Sequence, residues 1–184
     1  MSRSACLGAL AAIAACGTDP VSSSAPVTLE LKAESGAPNG AVTSEQKDIT
    51  SEPGNPYGAF IADARTELGR DPGRVEIDTV TLALDARSMG VSTLDQVYAG
   101  DVDVLFLLRD TNDTYDVARI ADPAGIGPMG LRVMLGSDEL ADPDWPRFLD
   151  GKFKVIVRGT AAPPFATRGA TAILHLTFTF AAFE

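Results

Sequence analysis

Cysteine, histidine and tryptophan are nearly missing from this 184-residue chain: two Cys, one His and one Trp. With only Cys6 and Cys16 the chain has no disulfide framework, so a domain of this length must hold together on its apolar core. A single histidine, His175, leaves three-ligand zinc chemistry dependent on carboxylates, and it stands beside no Gly-x-Ser-x-Gly elbow that would make it the base of a hydrolase. Basic residues are also in short supply, 15 against 25 acidic ones for a formal charge of −10. A field of that sign repels nucleic acid, which removes it from the expected partners. Aromatics make up 7% of the chain, while apolar residues as a whole reach 45%, enough for one globular domain rather than a disordered polymer.

The apolar residues are distributed in a definite way. From Ser4 to Ala15 the chain carries no charge, follows the lone basic Arg3, and ends at Cys16. Twelve residues rise about 18 Å as a helix, short of the ~30 Å hydrocarbon core, so the run fits a cleaved signal segment better than a membrane span. Ile13-Ala14-Ala15-Cys16, one aliphatic and two small residues before Cys, resembles the lipobox of bacterial lipoprotein precursors. The resemblance covers only this N-terminal segment. It implies diacylglyceryl transfer to the Cys16 thiol, cleavage after Ala15, and anchoring by acyl chains of the palmitate kind, several of which hold a protein firmly where one does not. Gly17, where inner-membrane lipoproteins of well-studied Gram-negative bacteria carry Asp, points within that resemblance to the outer membrane. An ordinary signal peptide with Ala12-Ile13-Ala14 before its cut is the alternative. The lipoprotein is preferred, because Cys6 is removed with residues 1–15 and Cys16 is then left with no disulfide partner in an oxidising compartment. Loss of Arg3 takes the mature charge to about −11.

Residues 16–26 are small, polar and proline-punctuated, which predicts a lipidated Cys on a flexible tether, with a single domain over 27–184. That domain alternates apolar and polar residues with period two: Val27/Leu29/Leu31, Val75/Ile77 and then Val80/Leu82/Leu84 with a phase slip near Thr79, Val102/Val104/Phe106/Leu108, Tyr115–Ile120, Leu131–Leu135, Phe153/Val155/Val157, and Ala172/Leu174/Leu176/Phe178/Phe180. Residues 35–56 read as loop with a short edge strand at Ala41–Thr43. One helix is predicted, capped by Asn55 with Pro56 at its first position, showing Phe60, Ile61, Ala64 and Leu68 on one face and ending at Gly69. Eight or so strands and one short helix predict a mainly β fold, an antiparallel β-sandwich.

Candidate chemistry is sparse. Asp110, Asn112 and Asp116 alternate as the first ligands of a calcium loop do, but Tyr115 stands where such a loop needs Gly and Ala121 where it needs Glu, and Asx residues equally build a plain hairpin turn. Asp138, Glu139, Asp142 and Asp144 surround Trp145 and Phe148, which suits a glycan platform or a carboxylate hydrolase, or else a loop whose aromatics cover one end of the core. His175 reads as a sheet-surface residue. The Gly125–Gly130 segment lacks the Lys and Ser or Thr of a phosphate loop. The expectation is a lipid-anchored, non-catalytic envelope module without a cofactor. Its partners would be the membrane, through its anchor, and another envelope protein or a glycan. An envelope hydrolase using the loop carboxylates and a calcium-dependent carbohydrate or adhesion module are the alternatives.

Overall fold

A computed structural model describes residues 22–36, 40–50, 52, 54–136, 139–140, 142–166 and 169–184. The signal segment, Cys16, residues 17–21 and Asp138 lie outside these. The fold is mainly β and antiparallel: β1 (Ser22–Glu34), β2 (Ala41–Thr43), β3 (Lys47–Ile49), β4 (Arg74–Leu84), β5 (Tyr98–Leu108), β6 (Thr114–Ile120), β7 (Met129–Val133), β8 (Phe153–Ala161) and β9 (Thr171–Phe183), with helices α1 (Pro56–Leu68) and α2 (Trp145–Leu149). The strands lie in the order β1-β9-β4-β7-β6-β5-β8-β2, and β3 also pairs with β8.

The expected pair of separate sheets is replaced by one continuous, curled sheet. Short β7 is the reason, since it pairs with β4 through Val80↔Leu131 to Leu82↔Met129 and with β6 through Ala118↔Val133 and Arg119↔Arg132. Alternation tells which side chains point inward but not which strands join, so this link was invisible in the sequence. The curl brings the two ends of the sheet together, where Glu45 N–H donates to the Lys32 carbonyl at 2.6 Å.

Period-two patterning is borne out along β1, where Val27, Leu29, Leu31 and Ala33 are buried and Thr28, Glu30, Lys32 and Glu34 are exposed. The strand starts five residues before the predicted boundary, however. Ser22–Pro26 pair with Phe183–Thr179 of β9, so these residues belong to the sheet and not to the tether. Ser23 is buried and Ala25 packs against the core, yet such small side chains bury little apolar surface; the backbone ladder offered by the long β9 orders them, and Pro26 is tolerated because β1 is an edge strand. The phase slip in β4 is a register shift between Ile77 and Thr79. Helix α1 forms as its sequence dictates: the Asn55 side chain accepts from Tyr57 N–H at 3.0 Å, Pro56 opens the helix, and Gly69 ends it in the left-handed region at φ 69°.

The few aromatics are concentrated. Tyr57 of α1 stands 5.2 Å, centroid to centroid, from both Phe153 and Phe180 and 5.7 Å from Phe148, and Phe106 adds to the group at 4.6 Å from Phe153. Each such buried ring contributes roughly 1.5–3 kcal/mol from burial alone. The cluster closes the end of the sheet where β1 begins, since Phe180 lies opposite Ala25.

Candidate functional site

The loop around Trp145 is part of that aromatic closure. Residues 145–149 form the second helix, missed in the sequence because five residues show no period. Trp145 is partly buried and stacks on Phe148 at 5.9 Å. The Asp144 side chain, 3% exposed, accepts from the Tyr115 hydroxyl at 2.7 Å and from Arg147 Nη1 at 3.3 Å. Asp142 is exposed to solvent, and the exposed Glu139 accepts from Gly136 N–H. Asp144 is thus turned inward to hold the loop while Asp142 faces water, an arrangement that does not present the two carboxylates together.

Asp110 and Asn112 occupy left-handed turn positions, φ 74° and 62°, between β5 and β6. They line a shallow cleft with Asp48, Arg109 and Lys154, and Arg109 pairs with Asp48 at 2.9 Å. Two basic residues accordingly share this surface with the oxygens. Asp116 lies in β6 opposite Leu105 and does not line the cleft.

The functional groups that do converge are at the other end of the sheet. Glu30 of β1 and His175 of β9 are directly opposed in register, and Ala83 of β4 is the next neighbour of His175. Two residues past Ala83, just beyond the end of β4, Asp85 is fixed by its own N–H donating to the Ile173 carbonyl at 2.8 Å. Its Oδ2 lies 2.5 Å from His175 Nε2. Arg87 closes the group: Nε donates to Asp85 Oδ1 at 2.9 Å, Nη2 to Asp85 Oδ2 at 3.0 Å and to Glu30 Oε2 at 2.5 Å, and the Arg87 backbone N–H to Asp85 Oδ1 at 2.7 Å. The Arg87 guanidinium first, then its backbone N–H and the His175 ring, hold the Asp85 carboxyl well below the usual carboxylate range. Its two carboxylate partners in turn push the Arg87 guanidinium up.

Asp85 belongs at the same time to a cleft of about 330 Å³, lined by Leu84, Asp85, Ala86, Ser88, Val91, Ser92 and Ile126. Ile126, 62% exposed, lies on its wall, and Met89, 60% exposed, sits in the same 85–92 loop. These are two of the three large apolar side chains most exposed among the described residues, and exposed apolar surface beside a polar cluster is what binding sites offer. The walls are held firmly. Leu84 N–H donates to the Ile126 carbonyl at 2.9 Å, Leu94 N–H to the Gly125 carbonyl at 2.7 Å, and the Asp95 carboxylate accepts from Gly125 N–H at 3.1 Å. The Gly125 amide, more than any other group, lowers the pKa of Asp95. Gly127 is required here: at φ 82°, a Cβ would stand 2.5 Å from the Leu82 carbonyl oxygen. The nearby Ser88 hydroxyl accepts from Ile173 N–H at 3.0 Å and so braces the loop against β9.

Glu30, Asp85 and Arg87 were not selected from the sequence. Glu30 and His175 each carry the signal of a polar residue on the outward face of an alternating strand, but they are 145 positions apart and only the register brings them together. Compared with protein-family models and with curated proteins, the sequence matches none.

Proposed function

We propose that this protein is a lipid-anchored module of the bacterial cell envelope, held through Cys16, that binds another envelope component at the cleft beside Asp85 without catalysing a reaction. The observation that carries this reading is the polarity of β1. The strand begins at Ser22, six residues after Cys16, and eight residues further on contributes Glu30 to the polar cluster. At ~3.3 Å per residue the cluster is about 26 Å along the strand from the tether. An anchor at Cys16 would hold the aromatic end toward the bilayer and turn the cleft away from it, toward a partner. The tether is short, ~20 Å at full extension from Cys16 to Ser22, so the domain would stay close to the membrane. Among the described residues no helix is long and apolar enough to cross a membrane, and the lipid would be the attachment. The two halves of the curled sheet enclose one core as the layers of a sandwich would, giving the cleft a rigid support. A carboxylate hydrolase has less in its favour, because Asp144 is committed to Tyr115 and Arg147.

Mass spectrometry of the mature protein from membranes tests the anchor. The N-terminal residue should be Cys16 carrying a diacylglyceryl group, and Cys16→Ala should leave an unprocessed or soluble chain. A wild-type protein beginning at Gly17 or earlier than Cys16, with no lipid, would refute the reading.

A further inference from the structure

We infer that Glu30, Asp85 and His175 form a binding site for a divalent transition metal, with zinc the best fit, and that Arg87 is the built-in cation that holds the site when the metal is absent. One ligand atom from each of the three residues lies within 4.8 Å of the others. Two carboxylate oxygens and one imidazole nitrogen form a mixed O/N set that suits zinc and its neighbours; calcium and magnesium prefer oxygen alone. Glu30 and His175 come from paired positions of two adjacent strands, and Asp85 follows β4 directly with its N–H tied to the Ile173 carbonyl of β9, so all three backbones are fixed by the sheet. Metal–ligand distances of ~2.0–2.1 Å place tetrahedral ligand atoms about 3.3 Å apart. His175 Nε2 and Asp85 Oδ2, now 2.5 Å apart, therefore need to separate by less than an ångström.

Arg87 shows where a positive charge already sits against these carboxylates. Its guanidinium already bridges the same two oxygens, Glu30 Oε2 and Asp85 Oδ2, that a metal would take. With a side chain 61% exposed, it can swing out into water, and ion pairs this exposed contribute little to stability. A metal bound here would have three protein ligands and room for a fourth donor. Because Asp85 also lines the cleft, a ligand seated there can supply that donor, most readily as a carboxylate or another anionic oxygen.

His175 is the sole histidine, so its imidazole resonances report on the site alone in untagged protein. The full-length protein, purified in detergent and stripped with chelator, is titrated with zinc chloride while these resonances and the melting temperature are followed. The expected result is one saturable site below ~100 µM zinc, displacement of the His175 resonances, a rise in melting temperature as the site fills, and reversal by EDTA. Glu30→Gln and His175→Gln should weaken binding at least tenfold, and Arg87→Ala should tighten it several-fold by removing the competitor. Calcium at millimolar concentration should leave the imidazole signals in place. Absence of saturable zinc binding in the wild type, or affinity unchanged in His175→Gln, would overturn the site, and affinity unchanged or weakened in Arg87→Ala would overturn the role of Arg87. None of these outcomes depends on the lipid anchor.

Discussion

The two ends of the curled sheet use their polar groups in opposite ways. At the end where β1 begins, the polar atoms that meet the aromatic cluster are spent inside the protein: the Tyr57 hydroxyl donates to the Phe148 carbonyl at 3.0 Å, and Asp144 receives Tyr115 and Arg147. At the far end, Glu30, Asp85, Arg87 and His175 pair with one another across strands at the surface, next to a cleft with an exposed isoleucine. The first arrangement secures the fold, and the second leaves charged groups where an incoming ligand can exchange with them. Carboxylates near a lone tryptophan look functional in sequence, yet what decides their role is whether their partners are internal.

Truncation at the aromatic end is the severest way to test this division. Phe148 is buried and packs on Tyr57, Phe106, Phe153 and Trp145. Phe148→Ala should cost about 3–5 kcal/mol in denaturant unfolding, the range for a large ring removed from a packed core. The His175 resonances should stay where they are in the folded variant, and a shift would show that the two ends are coupled.

A finer cut removes a single oxygen. In Tyr57→Phe the ring contacts remain while the hydrogen bond to the Phe148 carbonyl is lost. That carbonyl still accepts from Gly151 N–H at 3.0 Å, so it is not left bare. The cost should therefore be near the low end for a buried bond, about 1 kcal/mol, read as a shift in the denaturant midpoint at constant slope. A cost as large as that of Phe148→Ala would mean that the hydroxyl, and not the packing, organises this end.

What could be read from the sequence followed from local physics. The α1 helix with its Asn55 cap and Gly69 stop, the inward sets of β1 and β9, and the bulge near Thr79 all came from residues within a few positions of one another. Leu105, on the second face of β5 and 2% exposed, adds an apolar residue beside the alternating set Val102/Val104/Phe106/Leu108, as suits a strand lying between β6 and β8. The rest was set by pairing across the chain. Nothing local reveals that β9 extends far enough to order Ser22–Pro26, that β7 joins the two halves of the sheet, or that Glu30 faces His175. His175 was correctly placed on the sheet surface, but its partner Asp85 sits at the end of a strand where a carboxylate looks like an ordinary boundary residue. The site was illegible because it is made by register, a property of strand pairs.

The smallest effect is also the one that separates the two ends by chemistry. The Asp85 pKa is lowered in the folded protein, chiefly by the Arg87 hydrogen bonds, so folding favours the ionised form. A carboxylate lowered in this way adds stability that is fully present above its unfolded value, ~3.9, and is lost as pH falls through its folded value. The stability difference between wild type and Asp85→Asn should accordingly be flat from pH 7 to about 5 and shrink steadily below about 4. Arg87→Ala should show the same acid-side narrowing, because it removes the largest cause of the shift. Tyr57→Phe should not: burial pushes the Tyr57 hydroxyl further above its ordinary value, so it stays protonated throughout and its deficit should be the same at pH 3 and pH 7. Denaturant midpoints collected across this pH range compare all three directly. An Asp85→Asn deficit that persisted unchanged at pH 3 would show that Asp85 is held by something other than its charge, and the contrast between a buried structural end and an exchangeable charged end would fail at the residue that defines it.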